Sequence, residues 1–155
     1  MRRDRIAAQR CSIARSSAVI GDPWSLLVIR EVFLGHRRFT ELVRYTGAQP
    51  SVVSERLKRL VDAGVLERRE YQQHPPRQEY RLTPMGKDLQ PVLLALTHWG
   101  DTHLDDGGGP PVVNVHTTCG NQVEPVMVCG HCREPTEGRI RSEPGPGAPI
   151  SRREA

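Results

Sequence analysis

Residues 39–83, FTELVRYTGAQPSVVSERLKRLVDAGVLERREYQQHPPRQEYRLT, contain two helical patterns and a β-ribbon pattern in immediate succession. In the longer helical pattern Val53, Leu57, Leu60 and Val61 recur at i, i+4, i+7 and i+8, which gathers them on one side of an α-helix. Ser51, Glu55, Lys58, Arg59 and Asp62 fall on the other side. Ser51 follows Pro50 and is placed to cap the helix start, and Gly64 supplies a left-handed residue to end it. The shorter pattern, residues 40–45 with Thr40 as its cap, precedes a turn containing Gly47. A short helix, a turn and a three-turn helix match the geometry that lays a recognition helix in the DNA major groove. An ordinary amphipathic helix on a core shows the same stripe, so the ribbon has to decide.

Residues 65–71 and 78–83 have strand character, and the intervening QHPPR cannot continue a ladder through its prolines, so its tip projects. The order helix, turn, helix, ribbon predicts a winged helix-turn-helix, mainly α with a small β-hairpin. Arg77 at the wing tip suits a phosphate or the minor groove. Charge supports this placement. Between Arg37 and Arg81 there are ten Arg or Lys and six Asp or Glu, an excess of four that equals the net +4 of all 155 residues.

On this reading Ser51 and Val52 reach base edges, with Glu55 and Arg59 further along the exposed side. Arg37, Arg38, Arg56 and Lys58 face phosphates, and Arg77 anchors the wing.

Upstream, the basic arm of residues 1–10 lacks the apolar run of a signal peptide, and no long apolar run exists to span a membrane, so a cytoplasmic protein is expected. Residues 12–20 suit a short helix with Ile13, Ala14, Ala18 and Ile20 available for burial. Asp22 and Pro23 then cap and open a helix that is apolar on most sides up to Gly35. Downstream, Thr83 and Pro84 open a helix in which Met85, Leu89, Val92, Leu93, Leu96 and Trp99 share a side, with a kink expected at Pro91. Its apolar surface exceeds one stripe, which points to a second subunit.

These pieces together resemble the HxlR-type family of bacterial winged-helix transcriptional regulators. The resemblance spans residues 11–103: CSIARSSAVIGDPWSLLVIREVFLGHRRFTEL (11–42), PSVVSERLKRLVDAGVLERREY (50–71), PPRQEYRLTPMGKDLQPVLLAL (75–96), then Trp99 and Gly100. It implies regulation of transcription, most simply repression, rather than catalysis. It also implies a homodimer formed through the first and last helices of a domain at residues 11–104, bound to a near-palindromic stretch of double-stranded DNA. Some members sense electrophiles, quinones or oxidants through an N-terminal cysteine, to which Cys11 corresponds, although Ser12 stands where the family often has Pro. An oxidant or small-molecule inducer would act there. At the start of a helix and flanked by Arg10 and Arg15, Cys11 has surroundings that favour reactivity. Burial with Ala14 and Ala18 is the competing reading.

After a flexible linker at residues 105–111, DDGGGPP, comes a module at residues 112–135 that carries His116, Cys119, Cys129 and Cys132. Two close pairs of soft or borderline donors are what tetrahedral zinc requires, and so short a segment needs a metal to fold. Val123, Val126, Met127 and Val128 would form a hairpin that brings the pairs together. His131 competes with His116 for the fourth position, and a Cys129–Cys132 disulfide or a metal-free hairpin are the alternatives. Residues 136–155, rich in Gly, Pro and charge, are expected to be disordered. A zinc- or thiol-dependent redox protein, or a winged helix serving protein contacts, are the other functional classes. The chain has no Gly-rich phosphate loop and no zinc-protease helix motif.

Overall fold

In the computed structural model, which describes residues 2–147, the chain opens with α1 (Arg2–Ala7) and α2 (Ser12–Ile20). It continues with α3 (Pro23–Phe33), α4 (Phe39–Thr46) and α5 (Pro50–Asp62). The ribbon β1 (Leu66–Gln72) and β2 (Arg77–Leu82) follows, then α6 (Pro84–Lys87) and α7 (Gln90–His103). Two compact units divide at Gln90 and Pro91.

The first unit is built on the apolar side of α5. Val53, Leu57 and Leu60 are fully buried, together with Val28, Ile29 and Val32 of α3, Leu42 of α4, and Val65 and Leu66. Val61 is only half-buried, at the edge of that side. The helix ends follow local chemistry. Asp22 accepts the Ser25 N–H at 3.1 Å with Pro23 in the first turn of α3, and Thr83 accepts the Gly86 N–H at 3.0 Å to open α6. Gly64, at φ 74°, ends α5 as expected.

The basic arm is helical over Arg2–Ala7. Several expectations need correction. Ile13 is 78% exposed, and of the α2 residues only Ala14 is buried. Ser51 is not the cap of α5, which starts one residue earlier at Pro50 behind Gln49, so Ser51 sits in the first turn with its side chain exposed. Thr40 likewise lies inside α4. That helix is closed by the Glu41 carboxylate reaching back to its start.

The expected kink at Pro91 is a full break. Helix α6 stops at Lys87, residues 88–89 form a turn, and α7 restarts with Pro91 in its first turn, where its missing N–H has no partner to lose.

The ribbon pairs Leu66 with Leu82 through Glu70 with Gln78, and a register shift between Glu70 and Gln72 leaves Tyr71 out of the ladder. A third segment joins it: Arg38 bridges Glu79, and Tyr80 donates its N–H to the Arg37 carbonyl at 2.8 Å. The loop before α4 is thereby fixed to the wing. The architecture is a winged helix, mainly helical with a two-stranded antiparallel hairpin.

In the second unit α7 has no buried residue, and Val92, Leu96 and Trp99 are exposed. Beyond it lie two small turns, tied by bridges between Val115 and Gln122 and between Val128 and Pro135. The single hairpin expected to join the cysteine pairs does not form; each pair has its own turn. Residues 136–147 contain no helix or strand, and the rest of the tail lies outside the described residues.

Candidate nucleic-acid interface

The exposed side of α5 presents Ser51, Ser54, Glu55, Lys58 and Arg59, with Val52 half-exposed beside them. Apolar residues at i, i+4 and i+7 leave these positions no other direction. Ser54 was missed by sequence reasoning, although its place three residues after Ser51 on the same side would have revealed it.

Arg56 is the exception among the expected contacts. Its side chain is 15% exposed, and its Nε donates to Asp22 Oδ1 at 2.8 Å, so it faces the start of α3 rather than phosphate. The physical reason is the acceptor: Asp22 already caps α3, and the guanidinium reaches it from the next helix. Arg56 Nη1 also lies 3.2 Å from Glu55, which in turn pairs with Arg59 one turn on. A chain of alternating charges thus runs from Asp22 through Arg56 and Glu55 to Arg59 on the exposed side. Lys58 pairs with Asp62 at 2.6 Å, an exposed i,i+4 pair that contributes little to stability.

The loop carrying Arg37 and Arg38 is held from both ends. Glu31, buried near the end of α3, pairs with Arg30 and with His36 Nδ1 at 2.8 Å, and the His36 ring stacks on Tyr45 at 3.9 Å. Arg38 lies over the Tyr71 ring at 4.9 Å, a cation–π contact between loop and wing. Arg37 lines an open cleft of about 450 Å³ together with Arg69, Arg81 and Lys87. Those four cations come from three different elements and a loop, so no local pattern announces the cleft. Arg77 is exposed, and it opens β2 rather than lying within the tip.

Glu41 accepts the N–H groups of Arg38 at 2.9 Å and Arg37 at 3.0 Å. The Arg38 N–H above all holds its carboxyl below the ordinary value of 4.5; partial desolvation opposes this, while the Arg37 N–H and the Arg38 and His36 charges assist. A depressed carboxylate adds stability that is complete above its unfolded value and is lost as pH falls through the lower folded value. Glu41→Gln should therefore be less stable than the parent at neutral pH and converge with it in acid. Urea melts across that range check this, and parallel profiles would show that the cap contributes nothing.

Cys11 is exposed immediately before α2, contrary to the buried alternative, while Ala14 is buried as that reading supposed. In the C-terminal module His116 Nδ1 lies 3.3 Å from Cys119 Sγ. The Cys129 thiol is held below its usual range by the backbone N–H of Cys132 first, then by that of His131 and by the Cys132 side chain. Among the described residues no group of three or more His, Cys, Asp or Glu is gathered to hold a metal ion.

A family model for HxlR-like helix-turn-helix proteins matches residues 19–107. The chain belongs to the HxlR-like family. Among its relatives, an uncharacterized HTH-type transcriptional regulator of Mycobacterium tuberculosis, Rv3095, is 42% identical over 137 residues, 88% of this chain and 87% of its own. A match of that length runs through residues 112–135, whereas an uncharacterized HTH-type transcriptional regulator of Synechocystis, sll1512, 36% identical over 96 residues, covers 61% of this chain and 71% of its own. Of solved structures, PA1607, a proposed transcription factor, superimposes with a TM-score of 0.77 at 32% identity, covering 84% of this chain and 92% of that one. The redox regulator HypR in its oxidized form gives a TM-score of 0.58 at 30% identity, covering 61% of this chain and 99% of HypR. No helix among the described residues is long and apolar enough to cross a membrane.

Proposed function

We propose that this HxlR-like chain is a sequence-specific transcriptional regulator, a repressor, that acts in the cytoplasm as a homodimer on a near-palindromic operator. The observation that carries the reading is the exposed side of α5, where Ser51, Val52, Glu55 and Arg59 line a helix held by a buried opposite side. Arg37, Arg38, Lys58 and Arg77 supply backbone contacts. The unburied apolar residues of α7 offer a surface on which two copies pair, and exposed Ile13 offers a separate one on α2. Recovery of bound genomic DNA followed by footprinting tests the proposal. Protection of two half-sites one helical turn apart supports it, and salt-independent failure to bind any recovered sequence defeats it.

Within this reading Arg59→Ala weakens specific binding by about 1–3 kcal/mol, the value of a bidentate base contact, and relaxes preference at one operator position. Unchanged affinity in a gel-shift titration would remove Arg59 from the base-reading set.

Exposure of Cys11 at a helix start, together with the kinship to HypR, supports redox or electrophile control through that thiol. Diamide should lower operator affinity of the parent and leave Cys11→Ser unaffected. Equal responses of the two proteins would place the signal elsewhere.

A further inference from the structure

The C-terminal module contains the same turn twice. Around the first pair, Val123 donates its N–H to Asn114 O, His116 to Asn121 O and Gly120 to His116 O, each at 2.8 Å. Around the second, Thr136 donates to Met127 O at 3.0 Å, Cys129 to Glu134 O at 2.9 Å and Arg133 to Cys129 O at 2.8 Å. Every donor and acceptor of the second set lies 13 residues after its counterpart in the first. The bridges obey the same shift, Val115 with Gln122 and Val128 with Pro135.

The backbone conformation repeats as well. Gly120 has φ 73° and its counterpart Arg133 has φ 65°, the one non-glycine at positive φ among the described residues. The left-handed conformation is easy for Gly120, which has no Cβ, and is strained for Arg133, so the second turn is not set by local preference alone.

The repeat aligns His116 with Cys129 and Cys119 with Cys132, while His131 aligns with Thr118. We infer that residues 112–136 form a pair of equivalent knuckles that together bind one zinc ion through His116, Cys119, Cys129 and Cys132, with His131 outside the ligand set. Each knuckle offers its first and last corner. His116 Nδ1 already meets Cys119 Sγ at 3.3 Å. One imidazole and three thiolates satisfy zinc, and binding releases the three thiol protons. The pairs stand as two separate turns, so the ion draws them together and gives the module the core that exposed Val126, Met127 and Val128 do not.

The test uses the full-length chain, reduced, loaded with zinc and freed of excess. Metal analysis should give one zinc per chain. Cobalt in its place should show thiolate charge-transfer bands and the d–d bands of a tetrahedral ion. His116→Ala and Cys129→Ser should each reduce bound zinc to background, and His131→Ala and Cys11→Ser should retain it. Limited proteolysis supplies a readout independent of the variants: zinc should protect residues 112–136 of the parent. A metal-free parent with all four thiols titrating would overturn the site, as would a Cys129–Cys132 disulfide that persists under those reducing conditions. Loss of zinc from His131→Ala, or its retention by His116→Ala, would overturn the ligand assignment.

Discussion

Leu57→Ala should lower the unfolding free energy by about 2–5 kcal/mol, a large part of the stability of a domain of this size. Leu57 is fully buried in the middle of the apolar side of α5, facing a core to which α3 contributes Val28, Ile29 and Val32 and α4 contributes Leu42. Truncation removes the transfer energy of three carbons and leaves a cavity that close-packed neighbours fill only in part. Urea melts should show a lower midpoint with an unchanged slope. Ser54→Ala, on the exposed side of the same helix, should stay within about 0.5 kcal/mol of the parent. A loss below about 1 kcal/mol for Leu57 would mean that α5 is not anchored by this core.

Gly86→Ala should be nearly as damaging for the opposite reason. A Cβ at that position would meet the Val65 carbonyl oxygen at 2.2 Å and Leu82 Cδ2 at 3.0 Å. That carbonyl is pinned, since it accepts the Thr83 N–H at 3.1 Å and the Thr83 hydroxyl at 3.2 Å. Relief therefore requires α6 to lift from the base of the wing, at about 1–3 kcal/mol or more. Gly100→Ala, in α7 with nothing within 4 Å, should instead stabilise slightly by restricting the unfolded chain. Thermal melts of the two variants should move in opposite directions, and a common direction would contradict the contacts described.

Periodicity carried the parts of this fold that depend on one helix at a time. The stripe of α5, the Asp22–Pro23 start of α3, the Thr83–Pro84 start of α6 and the Gly64 stop were all legible, because each rests on residues within about one turn of one another. What escaped depends on partners distant in sequence. Arg56 reads as one more cation on an amphipathic helix until Asp22, 34 residues earlier, appears beside it. The bridge from Arg38 to Glu79 and the stacking of Arg38 on Tyr71 are hidden for the same reason. The helix break before Pro91 was underestimated as a kink, since the apolar pattern of residues 85–99 continues across it. In the C-terminal module the donor spacing was visible, but the repeat that distinguishes His116 from His131 is written in backbone hydrogen bonds, not in residue identity.

The line of charges from Asp22 to Arg59 has a bearing on how a carboxylate can sit in the surface we propose meets DNA. Glu55 stands on the exposed side of α5 that we propose reads bases, where phosphate would repel it once Arg59 turned away to a guanine. Arg56 remains behind, held by Asp22 and within 3.2 Å of Glu55, so Arg59 can change partner while Glu55 stays neutralised. On the proposed function, a half-buried ion pair at the root of the helix would set how readily its outermost arginine lets go of the protein and takes hold of a base.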